Sequence, residues 1–142
     1  TSDLISLVSL IAVGTFVLLL LRHRMNVMSL PEEEARALGV STGPMRIAIV
    51  AAATLVTSAS VAAAGIIGWV GLVVPHIARS LTGPDFAKLL PVAALLGGSF
   101  LLFIDTIART AASIEIPLGI LTAFVGTPFF IWLLASMQKD WS

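Results

Sequence analysis

The chain has 142 residues, of which 58% are hydrophobic and only 11% are charged, and its mean hydropathy is +1.05. Soluble domains carry about 25% charged residues, so this composition excludes an ordinary soluble protein and predicts an integral membrane protein. Eight basic and eight acidic residues give a formal net charge of zero, which excludes the basic surface of a nucleic-acid binder. The absence of cysteine excludes disulfides, thiolate metal sites and thiol nucleophiles.

The first predicted element is a membrane-spanning helix over residues 4–21. Its 18 residues carry no charge, and at about 1.5 Å per residue they nearly cross a hydrocarbon core of about 30 Å. The basic residues Arg22 and Arg24 follow, and the positive-inside rule places them in the cytoplasm. No basic region precedes the apolar run, so we expect a spanning helix rather than a signal peptide.

A polar loop, residues 25–45, then interrupts the apolar chain and is predicted to contain a short helix over about residues 30–38. Ser29 stands three residues before Glu32, the spacing of a capping box, in which each side chain accepts a backbone N–H of the other residue's turn. Glu32 and Arg36 have the i,i+4 spacing of a helical ion pair. These signals predict an ordered helix within the loop.

The predicted helix ends in the sequence Leu38-Gly39-Val40. Glycine just after a helix readily adopts the left-handed conformation that closes the last turn, and the next apolar residue packs back on it.

The next 32 residues, between Arg46 and Arg79, carry no charge. A hairpin of two arms, 47–64 and 66–78, keeps every basic residue except Arg109 on the cytoplasmic side, whereas a single span does not. The second arm is too short to cross as a straight helix unless loops or neighbours complete the path.

Two further spans are predicted, over residues 89–108 and 116–137. The last contains Gly126-Thr127-Pro128, where the proline ring removes a backbone hydrogen bond and predicts a kink. Residues 1–142 therefore form one all-α polytopic transmembrane bundle of about five spans with a cytoplasmic C-terminus. An odd number of spans also indicates a piece of a longer transporter.

Four blocks of this sequence resemble one protein family. They are Ala37-Leu-Gly-Val40, the stretch 65–79 with its Gly-Trp-Val-Gly and Pro-His, Asp105-Thr-Ile-Ala-Arg109, and the stretch 115–134 with its Gly-Thr-Pro-Phe-Phe. The chain resembles the FecCD-type permease subunits of ATP-binding-cassette importers for ferric siderophores, haem and vitamin B12, the type II importers. The resemblance implies a ten-span permease, of which this chain is the C-terminal half, either truncated or split.

The resemblance implies a non-enzymatic transport subunit of the bacterial inner membrane. Its expected partners are cytoplasmic ATPase subunits, a second permease copy and an extracytoplasmic substrate-binding protein, with no cofactor; the transported compound is not specified. A secondary transporter or channel fragment without an ATPase is the alternative, and a structural membrane subunit without a pathway is a third class. The chain lacks the nucleotide-binding P-loop pattern and the nucleophile-elbow pattern.

Candidate site residues fall into three groups, each with a simpler alternative. The first group is expected to couple to the ATPase, and the alternative is a plain surface helix; its members are Glu32, Glu33, Arg36, Leu38, Gly39 and Val40. The second group is expected to dock the binding protein, and the alternative is a local Asp105–Arg109 ion pair; its members are Arg109 and Glu115. The third group is expected to shape the pathway or a helix kink, and the alternative is ordinary packing; its members are Gly68, Gly71, Thr122, Gly126, Thr127 and Pro128. No metal is expected at His76, because no second ligand has metal-site spacing.

Overall fold

The computed structural model of the chain describes residues 1–111, 114 and 116–139, without the side chains of residues 138 and 139. All regular structure in this part of the chain is helical, which confirms the all-α expectation. The six helices are α1 (Ser2–Met28), α2 (Glu32–Ala37), α3 (Thr42–Ala64), α4 (Val70–Thr82), α5 (Phe86–Ala111) and α6 (Leu118–Lys139).

Four of these helices, α1, α3, α5 and α6, are long and apolar enough to cross a membrane. Between 6% and 11% of the residues in their most apolar windows are buried, so most of this apolar surface needs lipid or other helices against it rather than water. The predicted arm 66–78 corresponds to α4, whose 13 residues begin at Val70 and reach only about 20 Å at 1.5 Å per residue. A fifth crossing therefore stays a prediction.

Helix α1 extends beyond the predicted span. It continues past the basic cluster to Met28, one turn beyond Arg24, because a change from lipid to water does not by itself end a helix. Helix α6 continues through Gly126, Thr127 and Pro128, and the kink expected there stays a prediction.

The chain forms two compact units, Thr1–Gly65 with Pro84–Pro91, and Ile66–Gly83 with Val92–Ser142. The first unit is built on the packing of α1 along α3. At their closest approach Gly14 is buried, and a Cβ atom added there would lie 3.1 Å from the Ala52 carbonyl oxygen. Helices in membranes commonly approach through such small residues.

The second unit contains the packing of α4 against α6. Glycines of α6 face the segment that precedes α4. A Cβ added at Gly119 would lie 2.9 Å from the Ile66 carbonyl oxygen, and one added at Gly126 would lie 2.6 Å from Trp69 Cγ. Neither position has room for a side chain without a shift of the neighbouring segment.

Candidate functional site

The polar loop contains the short helix α2, but its first turn is closed differently from the prediction. Ser29 Oγ donates to the Asn26 carbonyl oxygen at 2.6 Å, and the residue that caps α2 is Pro31, without a side-chain hydrogen bond. The predicted capping box is therefore wrong. The reason is that α1 extends to Met28, so Ser29 belongs to the end of α1, where its own N–H still donates to the Met25 carbonyl oxygen.

The end of α2 is a complete Schellman turn, as the sequence predicted. Gly39 has φ +80°, its N–H donates to the Arg36 carbonyl oxygen at 2.9 Å, and the Val40 N–H donates to the Ala35 carbonyl oxygen at 3.2 Å. These two bonds satisfy carbonyl groups that a helix end otherwise leaves unpaired. Ala35 is buried and Val40 is half-buried, so the turn is fixed to the rest of the loop.

Glu32 joins the beginning of α2 to the beginning of α3. Its Oε1 atom accepts from Arg36 Nη2 at 2.6 Å, which confirms the predicted ion pair, and from Thr42 Oγ1 at 3.3 Å. Thr42 is buried. Because both side chains of the ion pair are mostly exposed, that bond contributes only a few tenths of a kcal/mol, and the geometric link to α3 is the more informative feature.

The outer surface of α2 combines acidic groups with one prominent apolar side chain. Glu33 and Glu34 are exposed, and Leu38 is 63% exposed at the tip of the helix. An apolar side chain held on an ordered turn and surrounded by charged groups has the composition of a protein interface, with an apolar centre and a polar rim.

No motif or spacing in the sequence indicated that Asn26 and Asp85 meet. Asn26 Nδ2 donates to Asp85 Oδ1 at 2.7 Å, and the backbone N–H of Phe86 donates to Asn26 Oδ1 at 2.7 Å. The Asn26 hydrogen bond, with a second one from the Ala87 N–H, lowers the pKa of the Asp85 carboxyl group below its ordinary value. An aspartate such as Asp85 just before a helix is a known capping signal. Its partner Asn26, however, is 59 residues away in the sequence.

The predicted pathway residues lie in the second unit and have different environments. Gly68 belongs to the non-helical segment before α4, and Gly71 lies in the first turn of that helix. Thr122 is buried, and its hydroxyl donates to the Leu118 carbonyl oxygen within α6 at 2.9 Å. Thr127 and Pro128 are exposed on α6 and line a shallow groove on that helix.

Gly126 is the pathway candidate with the most specific contact. It is buried beneath the Trp69 side chain, and the Trp69 ring lies 5.4 Å from the Phe130 ring, centroid to centroid. Trp69 also has φ +67°, a conformation that is rare for bulky residues and costs free energy. The close contact at Gly126 thus holds a strained residue at the start of α4.

The predicted docking residues lie near the end of α5. Arg109 Nε and Asp105 Oδ2 are 2.8 Å apart, and the Arg109 side chain is 79% exposed. The ion pair that the spacing indicated is therefore formed. Glu115 lies outside the described residues.

Within the described ranges, no three His, Asp or Glu side chains lie close enough together to hold a metal ion. The His76 ring contacts the Phe129 ring edge-on, at a centroid distance of 6.1 Å.

The four long apolar helices define the chain as a multi-pass membrane protein. The FecCD transport family model matches residues 1–136, and the chain belongs to that family.

Relatives and a solved structure support this assignment. The chain is 47% identical over 136 residues to the cobalamin import system permease protein BtuC of Halobacterium salinarum, covering 96% of this chain and 37% of BtuC. It is 41% identical over 123 residues to the molybdate import system permease protein MolB of Haemophilus influenzae, covering 87% of this chain and 36% of MolB. A structure described as an inward-facing conformation of a metal-chelate type ABC transporter matches with a TM-score of 0.88 and 38% identity, over 94% of this chain and 45% of that one. The chain thus spans less than half the length of the proteins it matches.

Proposed function

We propose that the chain is the C-terminal half of the permease subunit of an ATP-binding-cassette importer in the bacterial inner membrane. In this proposal the polar loop lies in the cytoplasm and fits a groove on a partner ATPase. Hydrolysis of ATP on that partner then drives inward movement of the substrate between this permease and a second permease copy.

The observation that carries the proposal is the set of hydrogen bonds that orders the polar loop. The Schellman turn at Gly39 and the link from Glu32 to Thr42 hold α2 in one geometry, while Leu38 remains exposed. A loop that only connects two spans does not need such constraints. A loop that transmits force does, because a flexible contact absorbs the movement of its partner.

The proposal is tested by the affinity of the ATPase subunits for the full-length permease. Complete burial of a leucine side chain contributes about 2 kcal/mol, so Leu38→Ala is expected to weaken ATPase binding by about thirtyfold. Leu102→Ala is the matched control, since Leu102 is 70% exposed on α5 and is not a residue of the polar loop. Equal affinity of both variants and the wild type for the ATPase would contradict the proposal.

We further propose that Arg109, together with Glu115, docks an extracytoplasmic substrate-binding protein. A mostly exposed cation at the end of a span is suited to orienting a partner carboxylate and to accelerating association. Arg109→Glu should therefore slow binding-protein association, and the difference should shrink as salt is raised. An association rate equal to that of the wild type at low salt would remove this role.

The substrate proposed here is a metal complex such as a ferric siderophore, haem or a corrinoid. The similarity to both a cobalamin and a molybdate permease means that resemblance alone does not choose the compound. ATP-dependent uptake of cyanocobalamin, hemin, ferric siderophores and molybdate by proteoliposomes tests the assignment directly. Uptake of molybdate alone would refute it.

We also propose that Gly68, Gly71, Gly126, Thr127 and Pro128 shape the movement of α4 against α6 beside the substrate path, with Thr122 as a buried spacer. The tight contact of Gly126 with Trp69 supports this role.

A further inference from the structure

Asn26 and Asp85 form a hydrogen-bonded connection, here termed the polar joint, between the last turn of α1 and the first turn of α5. The polar joint consists of the Asn26 side chain, the Asp85 carboxylate and the backbone N–H of Phe86, with two contacts of 2.7 Å. Asp85 Oδ1 also accepts from the Ala87 N–H at 3.0 Å, so Asp85 caps α5 while it binds Asn26.

The chemistry of the polar joint permits only one orientation of the Asn26 amide. The Phe86 N–H is a donor and requires the Asn26 oxygen, and the Asp85 carboxylate is an acceptor and requires the Asn26 nitrogen. A hydrogen bond to a charged group is stronger than one between neutral groups. The joint therefore requires both the donor and the acceptor of the Asn26 amide, opposite an acceptor oxygen on residue 85.

The position of the polar joint gives it a mechanical consequence. Helix α1 packs along α3, and the Asn26 side chain links the end of α1 to the beginning of α5. Phe86 also lines a groove of about 230 Å³ with Met25 and Met28 of α1. The first residues of α5 are thus held to the end of α1, which forms the beginning of the polar loop, residues 25–45.

Helix α5 belongs to both compact units of the chain. Residues Pro84–Pro91 belong to the first unit, which contains the polar loop, and α5 enters the second unit at Val92. Pro91 lies inside the helix at this boundary. Its ring removes one backbone hydrogen bond, but α5 continues through it from one unit into the other.

We propose that Asn26 and Asp85 are positioning residues that make the first turn of α5 follow the polar loop, so that movement at the ATPase contact reaches the remainder of α5. This inference rests on the proposed function of the loop. Without the polar joint, the loop and α1 can move while the start of α5 stays behind.

Three variants separate this role from simple helix capping. Asn26→Ala removes the joint and keeps the Asp85 cap on Ala87. Asn26→Asp places two carboxylates together. Asp85→Asn is expected to be tolerated, because both bonds converge on Oδ1 and an amide oxygen can accept both. Ser99→Ala is the matched control, since it removes an exposed side-chain hydrogen bond within α5.

The experiment uses the full-length permease assembled with its ATPase subunits in nanodiscs. The 142-residue chain has no cysteine, so nitroxide labels can be attached at Ile47→Cys on α3 and Leu102→Cys on α5, both highly exposed. Pulsed EPR then measures the label-to-label distance without nucleotide and with ATP and vanadate.

We expect the wild type, Asp85→Asn and Ser99→Ala to show the same nucleotide-driven change in distance. Asn26→Ala and Asn26→Asp should reduce the shifted population relative to the unshifted one by about tenfold, the effect of losing a hydrogen bond to a charged group. A full change in Asn26→Ala or in Asn26→Asp would overturn the inference. A wild-type complex that fails to bind the ATPase would instead overturn the proposed function.

Discussion

Gly39→Val is expected to disrupt the polar loop through backbone conformation alone. Gly39 has φ +80°, and no atom lies within 4 Å of a Cβ added there, so the added Cβ meets no neighbouring group. What changes is the cost of the left-handed conformation, which is about 1–2 kcal/mol for an ordinary L-residue. A β-branched side chain is among the least tolerant of it.

That cost lowers the population of the Schellman turn by about 5- to 30-fold. Because Leu38 is presented by this turn, the affinity of the permease for its ATPase should fall by a similar factor. The measurement is a titration of the full-length permease, in detergent, with purified ATPase subunits, accompanied by ATP-driven uptake in proteoliposomes.

Gly39→Asn is the matched control, because asparagine is also larger than glycine but adopts the left-handed conformation several times more often than other residues. The expected order of affinity is glycine first, asparagine close behind and valine far below. If valine binds the ATPase as tightly as asparagine does, the conformation at Gly39 does not control the contact and the reasoning is refuted.

Two further predictions concern packing and charge. Gly126→Ala should destabilise the full-length permease by about 1–3 kcal/mol, the usual cost of overpacking, because its Cβ overlaps the Trp69 side chain. Gly98→Ala has open space at its Cβ and should leave the thermal unfolding midpoint unchanged or slightly higher; equal midpoints for the two variants would contradict the contact. Asp85 has a lowered pKa, so its contribution to stability is complete above the ordinary carboxyl pKa of about 4 and is lost only as pH falls through the lower folded value. The stability difference between the wild type and Asp85→Asn should therefore stay constant from about pH 6 to pH 8, and a slope in that range, measured by thermal unfolding, would argue against this origin.

Features that depend on neighbouring residues in the chain could be predicted from the sequence. The ion pairs Glu32–Arg36 and Asp105–Arg109 follow from i,i+4 spacing, and the turn at Gly39 follows from the conformational freedom of glycine after a helix. The membrane class follows from composition, because long uncharged helices cannot be buried within a chain of this size. The ion pairs and the turn depend on free energies of residues within one helical turn of each other, and the membrane class depends on the free energy of exposing apolar side chains to water.

The capping box failed because the extent of α1 was not encoded at Ser29. Whether Ser29 begins α2 or ends α1 depends on which helix retains its N–H, and that choice was decided by the continuation of α1 to Met28. Ser29 has the capping-box spacing to Glu32, and it also directly follows the last residue of α1. The length of α1 decides between these two roles.

Only the tertiary structure brought Asn26 to Asp85 and Trp69 to Gly126. The first pair is separated by 59 residues, and neither residue carries a local signal for the other. Trp69 adopts a strained backbone conformation that its own sequence disfavours, and the surface of α6 at Gly126 is what accommodates it. Contacts between distant segments depend on the summed packing of whole helices. The sequence by itself therefore determined the membrane class and the turn that ends α2. Only the tertiary structure decided which residues join the polar loop to α5.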